Sequence, residues 1–189
     1  MPRATPPAPY SPSTVLLIVD MINPMDFDGG KSMLPMAIAA AKRVAKLKQI
    51  MKSRGSPVVY VNDNFTQWRA GFRELVAICG HDNSFGAPIA TLLPPEQDDY
   101  FILKPKHSAF YASALPVLLE QLGATTLVVT GIAADGCVLA TATDAHMRDY
   151  LVQVPRDCVA SISKARTRRA LELLESSMHI ETSAAASRR

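Results

Sequence analysis

Residues able to share the work of covalent catalysis lie far apart in this chain of 189 residues: Asp20, Lys104 and Cys137. A cysteine attacks as its thiolate, so a free thiol pKa near ~8.5 must fall for rapid reaction at neutral pH. A nearby ammonium lowers it, and so does a helix N-terminus. A carboxylate can accept the thiol proton and later pass it to a leaving group. Each residue alone has a plainer explanation. An aspartate after a strand forms turns, a lysine there is a solvated charge, and a cysteine before an apolar helix fills core space. The joint reading therefore depends on the elements that bring them together.

Short apolar runs recur at Thr14 to Val19, Val58 to Val61, Tyr100 to Leu103, Thr125 to Thr130 and Leu151 to Val154, with a weaker sixth near His179 to Thr182. Such runs read as strands buried on both faces, the parallel-sheet pattern. Helical spacing separates them. Met36 to Arg54 carries Ile38, Ala41, Val44, Leu47 and Met51 and ends at Gly55. Leu115, Leu118, Leu119 and Leu122 precede Gly123. Ala134 to Arg148 is rich in alanine and threonine, and Ala170, Leu171, Leu174 and Met178 make the inner stripe of a last helix. The alternation predicts an α/β fold: a three-layer, doubly wound sandwich with a mostly parallel sheet of about six strands. In such folds ligands sit at the carboxyl ends of the strands. Asp20, Asn62 and Asp63, Lys104, and Gly131 to Cys137 all follow strands, so all should converge on one edge.

Composition narrows the classes. With 20 basic and 17 acidic residues the net charge is +3, too weak to argue for nucleic acid. The dense basic run, Lys164, Arg166, Arg168 and Arg169, falls on a helix and reads as an outward face. No segment approaches the ~18 apolar residues of a membrane helix. Cys79, Cys137 and Cys158 include no CxxC pair and are odd in number, which disfavours a disulfide framework. Residues 1–13 are proline-rich and read as a flexible arm, leaving 14–189 as a single domain. The arm lacks the apolar stretch of a signal peptide, so a reducing cytoplasm is expected.

Several segments also carry a family resemblance. Leu16 to Met21, Lys104-Pro105-Lys106-His107-Ser108-Ala109-Phe110, and Thr130 to Val138 with Thr141, Ala142, Asp144 and Ala145 resemble, in order, the motifs of the isochorismatase-like cysteine hydrolases. The resemblance extends over roughly Ser13 to Ser183. It implies a catalytic triad of Asp20, Lys104 and Cys137, with Lys104 preferred over Lys106 because it stands four residues before Ser108. It also implies a non-proline cis peptide joining Ile132 to Ala133, and an oxyanion hole formed by the N–H groups of Ala133 and Cys137. The implied activity is hydrolysis of a C–N bond in a small amide, ureido or carbamoyl metabolite through a cysteine thioester. Isochorismate-cleaving members generally lack the cysteine, so Cys137 argues against vinyl-ether hydrolysis. Relatives commonly form homo-oligomers, and the same is expected here.

Nicotinamidases of that family hold a divalent metal through an Asp-x-His pair after the second strand. The matching stretch here is Asn62-Asp63-Asn64-Phe65-Thr66, without histidine, so no catalytic metal and no cofactor are expected. Met25, Phe27, Asn62, Asn64, Trp68 and Phe110 are the candidate pocket residues; Asp63 shares the alternatives of lining the pocket, bonding the triad or forming a turn. Two competing functions remain. One is a catalytically silent binding member of the same fold. The other is a Rossmann-type oxidoreductase, whose glycine fingerprint is absent.

Overall fold

The computed structural model describes residues 10–185. Its strands are β1 (Thr14–Val19), β2 (Val58–Asp63), β3 (Tyr100–Lys104), β4 (Thr126–Ile132), β5 (Leu151–Gln153) and β6 (Val159–Ala160). Its helices are α1 (Gly30–Lys52), α2 (Phe72–Gly80), α3 (Ala87–Leu92), α4 (Leu115–Gln121), α5 (Leu139–His146) and α6 (Lys164–Met178). The strands form one six-stranded parallel sheet in the order β3-β2-β1-β4-β5, with β6 paired to the far end of β4. The chain first builds outward from β1 through β2 to β3, then returns to lay β4 on the other side of β1. The order therefore reverses between β1 and β4, and a crevice opens beyond their carboxyl ends.

Every residue of β1 and β4 is buried, which explains runs that are apolar throughout instead of alternating. Successive side chains still enter opposite layers. Leu16, Ile18, Val58 and Tyr60 pack with α1, α2 and α3. Val15, Leu17, Val19, Val59, Val61, Leu127 and Val129 pack with α4, α5 and α6. The stripe Met33, Ala37, Ala40, Val44, Leu47 and Met51 seats α1 on its layer. This helix starts at Gly30, ahead of the expected Met36. Pro35 lies inside it, removing one hydrogen bond without ending the helix.

Three expectations change. The sixth strand is Val159–Ala160, and the segment near His179 contributes only a bridge between Gln153 and Glu181. A two-residue strand carries no periodicity to read. The stretch from Ala134 opens as a π-type turn, Ala134–Val138, before α5, with Gly136 non-helical at φ −130° and ψ −105°. Tyr10, within the expected arm, is buried against the α1 layer, while residues 1–9 of that arm lie outside the described residues.

The segment leading into β3 is clamped to α1. Buried Lys48 donates to Asp99 at 2.6 Å, the Pro94 carbonyl at 3.1 Å and the Tyr60 hydroxyl at 3.2 Å. Lys52 adds Glu96, Asp98 and Asp99. The strand that ends at Lys104 thus starts from a fixed anchor.

Candidate active site

Asp20 is the first residue beyond β1. Its φ of 52° is left-handed, a conformation aspartate tolerates better than most residues. Its N–H donates to the Val61 carbonyl at 2.8 Å, and its Oδ1 accepts the Asp63 N–H at 2.6 Å. Those bonds fix the carboxylate so that Oδ2 lies 2.9 Å from Lys104 Nζ. On the other side of β1, Val19 pairs with Gly131, whose φ is 111°. A Cβ at Gly131 would stand 2.0 Å from the Val19 carbonyl oxygen, so only glycine permits this closeness at the crevice.

Lys104 is the last residue of β3 and its side chain is fully buried. Its ammonium meets Asp20 Oδ2, the Lys106 carbonyl at 3.1 Å and Cys137 Sγ at 3.3 Å. These contacts use its three protons. Asp63 Oδ1 lies outside them at 3.4 Å. Cys137 is half-buried on the turn after β4. The Ile132–Ala133 peptide before that turn is cis. Gly136 N–H and Val138 N–H both donate to the Ala133 carbonyl, at 2.9 and 3.1 Å.

Burial pushes the Asp20 carboxyl above its ordinary range, against the lowering effect of Lys104 and of a hydrogen bond from the thiol. For Lys104 burial works against the charge, yet Asp20, Cys137 and Asp63 together raise its pKa. Burial first, and the Asp20 charge second, push the Cys137 thiol up to about 12, outweighing Lys104. The expected lowering of the thiol by its lysine is thus reversed at rest. Burial is the larger reason, and charge balance adds to it: one ammonium neutralises one anion, and a thiolate beside ionised Asp20 would be a second.

Asp20 and Cys137 border a cavity of about 480 Å³, within the range of small-molecule sites, with Lys104 buried behind them. Of the expected wall residues, Phe27 lines it. The others do not. Met25 is fully buried, its N–H held by Asn23. Asn62 is buried and donates to the Ile22 carbonyl at 2.6 Å. Asn64 binds Thr66 and the Trp68 N–H, closing a turn. Trp68, at φ 64°, points away and is 63% exposed. Phe110 is buried under Tyr150 and Arg148. The walls that sequence reasoning did not name include Asp26, Phe65, His107, Asp135 and Arg166, and among Asn62, Asp63 and Asn64 at the end of β2 it is Asp63 that faces the cavity. Asp135 stood in the motif around the cysteine. Arg166 is exposed, as expected of the basic face, and also lines the cavity.

Two bonds tie the Lys104 loop to α5. Ser108 Oγ donates to Asp144 Oδ2 at 2.7 Å, and the buried Ala109 N–H donates to Thr141 Oγ1 at 3.0 Å. Among the described residues no group of three or more His, Cys, Asp or Glu side chains is arranged to hold a metal ion. The stretch at the end of β2 does not fit one either, since Asn62 and Asn64 are committed to backbone and turn contacts. No helix among the described residues is long and apolar enough to cross a membrane.

A family model, the isochorismatase domain, matches residues 14–186. The isochorismatase family protein YaaI of Bacillus subtilis is 39% identical over 166 residues, covering 88% of this chain and 91% of that one. Maleamate amidohydrolase of Pseudomonas putida is 28% identical, covering 76% of this chain and 70% of its own. Among solved structures, N-carbamoylsarcosine amidase from Thermoplasma acidophilum is 27% identical with a TM-score of 0.70, covering 91% of this chain and 96% of that chain.

Proposed function

The chain belongs to the isochorismatase family, and from that premise we propose that it is a metal-independent cysteine hydrolase cleaving a C–N bond of a small amide, ureido or carbamoyl compound. The observation that carries the proposal is buried Lys104 Nζ, held 2.9 Å from Asp20 and 3.3 Å from Cys137, the two residues that line the cavity in front of it. Similarity to an amidohydrolase and an amidase supports the same class.

In this mechanism the substrate carbonyl enters over Cys137. Asp20 accepts the thiol proton as sulfur bonds to the carbonyl carbon, while Lys104 stabilises the charge on sulfur. The oxyanion is assigned to the N–H groups of Ala133 and Cys137, which border the cavity on the turn that carries the sulfur. One such donor is typically worth about 3–4 kcal/mol in the transition state. Asp20 then gives its proton to the nitrogen, the C–N bond breaks, and ammonia or an amine departs. A water molecule gives a proton to Asp20 and adds to the thioester. The C–S bond breaks, and the sulfur recovers the proton from Asp20.

The test is ammonia release from a panel of small amides and carbamoyl compounds, with mass spectrometry of the quenched enzyme. An acyl adduct on Cys137, and its loss in Cys137→Ala, are expected. A folded enzyme that binds panel members yet forms no adduct and releases no ammonia would establish the silent binding alternative instead.

A further inference from the structure

Helix α6 lies between two cavities. Arg166 borders the catalytic one. The second, of about 510 Å³, is a groove along the other flank of the helix, and the proposed chemistry does not use it. Its apolar part is Met36, Val159, Ala160 and Leu171. From α6 it also takes Lys164, Thr167, Arg168, Glu172 and Glu175, at the spacings of three and four that mark one helix face.

The charges on this face are sorted along the helix. Lys164 and Arg168 stand in its N-terminal half, and Glu172 and Glu175 in its C-terminal half. That order works against the helix itself. The macrodipole favours acids at the N-terminus and bases at the C-terminus, yet the first turn has no acid and the last has no base. Pairs four residues apart are stronger with the acid first, yet Arg168 precedes Glu172, at 3.6 Å with both side chains mostly exposed. Glu175 meets Arg156 at 3.5 Å and accepts from Thr182, whereas Lys164 has no ion pair among the described residues.

The same order suits a second copy of α6. Two such helices packed antiparallel about a two-fold axis bring Lys164 opposite Glu175 and Arg168 opposite Glu172. Both pairs are centred on the same point of the helix, at Ala170 or the peptide bond before it, so one register satisfies both. Thr167 and Leu171, uncharged and half-buried, then flank the axis. Each helix is a ridge beside its own groove, so the ridge of one copy can enter the groove of the other, the self-complementarity a two-fold contact requires.

We propose that this face is an interface between two copies of the chain, with Lys164–Glu175 and Arg168–Glu172 pairs each made twice across an axis near Ala170. The proposal is independent of the reaction at Cys137. A contact of one helix and its groove lies at the small end of protein interfaces, so a micromolar dimer is expected, with the charges fixing its register.

The test is sedimentation velocity of the full chain from low to high micromolar concentration, with circular dichroism to verify folding. The parent should dimerise, and more weakly as salt rises. Lys164→Glu/Arg168→Glu should raise Kd by about 100-fold or more, because two contacts, each made twice, turn from attraction to repulsion. Adding Glu172→Lys/Glu175→Lys inverts every charge that α6 places on the face. That fourfold variant should dimerise with itself again, yet form no mixed dimer with the parent in native mass spectrometry. Should it fail to fold, Arg168→Glu against Arg168→Glu/Glu172→Arg makes the same comparison with Glu175 untouched, the first weakening the dimer and the second restoring it. A parent that stays monomeric, a dimer indifferent to Lys164→Glu/Arg168→Glu, or a folded inverted variant that stays monomeric or mixes freely with the parent each overturns the proposal.

Discussion

Replacing Asp20 by asparagine should move two properties of the enzyme in opposite directions. Asp20 Oδ2 and Cys137 Sγ lie 2.9 Å and 3.3 Å from the same nitrogen, so they are at most about 6 Å apart. At an effective dielectric constant of about 20, like charges at that distance repel by roughly 2.7 kcal/mol, or about two pKa units. Asp20→Asn removes that repulsion and leaves Lys104 facing the sulfur. The thiol should fall from about 12 toward about 10. At neutral pH the thiolate fraction would rise about 100-fold. The weaker nucleophilicity of a less basic thiolate cuts that about tenfold, for a net gain near tenfold. Alkylation of Cys137 by iodoacetamide, followed by peptide mass spectrometry with buried Cys79 and Cys158 as internal references, measures this directly. Amide hydrolysis should disappear in the same protein, because no carboxylate remains to protonate the leaving nitrogen. Asp20→Asn that is folded and alkylates no faster than the parent enzyme would refute the charge-balance account of the triad.

Lys104→Met should do the reverse, slowing Cys137 alkylation by about 100-fold or more, since an ammonium at 3.3 Å is worth about 5 kcal/mol to a thiolate before water screens part of it. In the pH profile of kcat/KM, the acid limb should lie above the ordinary aspartate value of 3.8, because burial raises Asp20. With Lys104 raised above 10.5 and the thiol at about 12, the triad gives no alkaline limb below about pH 10. Asp63→Asn should move the acid limb down, since the Asp63 charge is one of the causes raising Asp20. Thr141→Val leaves the buried Ala109 N–H without its acceptor, at a cost of about 1–3 kcal/mol, and should lower kcat more than it changes KM, with Thr141→Ser restoring both. Lys48→Ala breaks a buried pair whose Asp99 side chain is 2% exposed and should destabilise the fold by about 3–5 kcal/mol in urea titration, with Lys48→Ala/Asp99→Ala recovering part of it.

The strands were legible because Thr14 to Val19 and Thr126 to Ile132 are buried on both faces, and burial on both faces leaves an unbroken apolar run. From strand order follows the edge, and from the edge follow Asp20, Lys104 and the turn of Cys137, since each is tied to the end of a strand. The cavity wall was poorly legible. Trp68 and Phe110 have the residue type of a wall, yet one is exposed on a left-handed turn and the other is buried beside the tilted ring of Tyr150. Asn62 lies on a strand, but its side chain is spent on a backbone carbonyl. Loop side chains have no periodicity to fix their direction, so composition cannot choose among them. Arg166 misled for another reason. It belongs to a basic run on a mostly exposed helix, and only the ion pair to Asp135 distinguishes it from Arg168, which pairs with Glu172 along the same helix.

The same division explains how chemistry and recognition can vary independently in this architecture. Asp20 and Lys104 sit at the ends of rigid strands and Cys137 on the turn that follows β4, and the Lys104 donor bonds go to Asp20, to the backbone just beyond β3 and to that turn. Changing a wall residue leaves those distances alone. Arg166 is an exception to a clean separation, because its partner Asp135 shares the turn of the nucleophile. A change at Arg166 would be felt at Asp135, and through the Ser161 bond to the Asp135 N–H, on the segment that aims the sulfur. The cavity wall and the orientation of the thiol are then coupled through one side chain. That coupling predicts a defect in kcat as well as KM when Arg166 is removed, whereas a wall contact remote from the turn would alter KM alone.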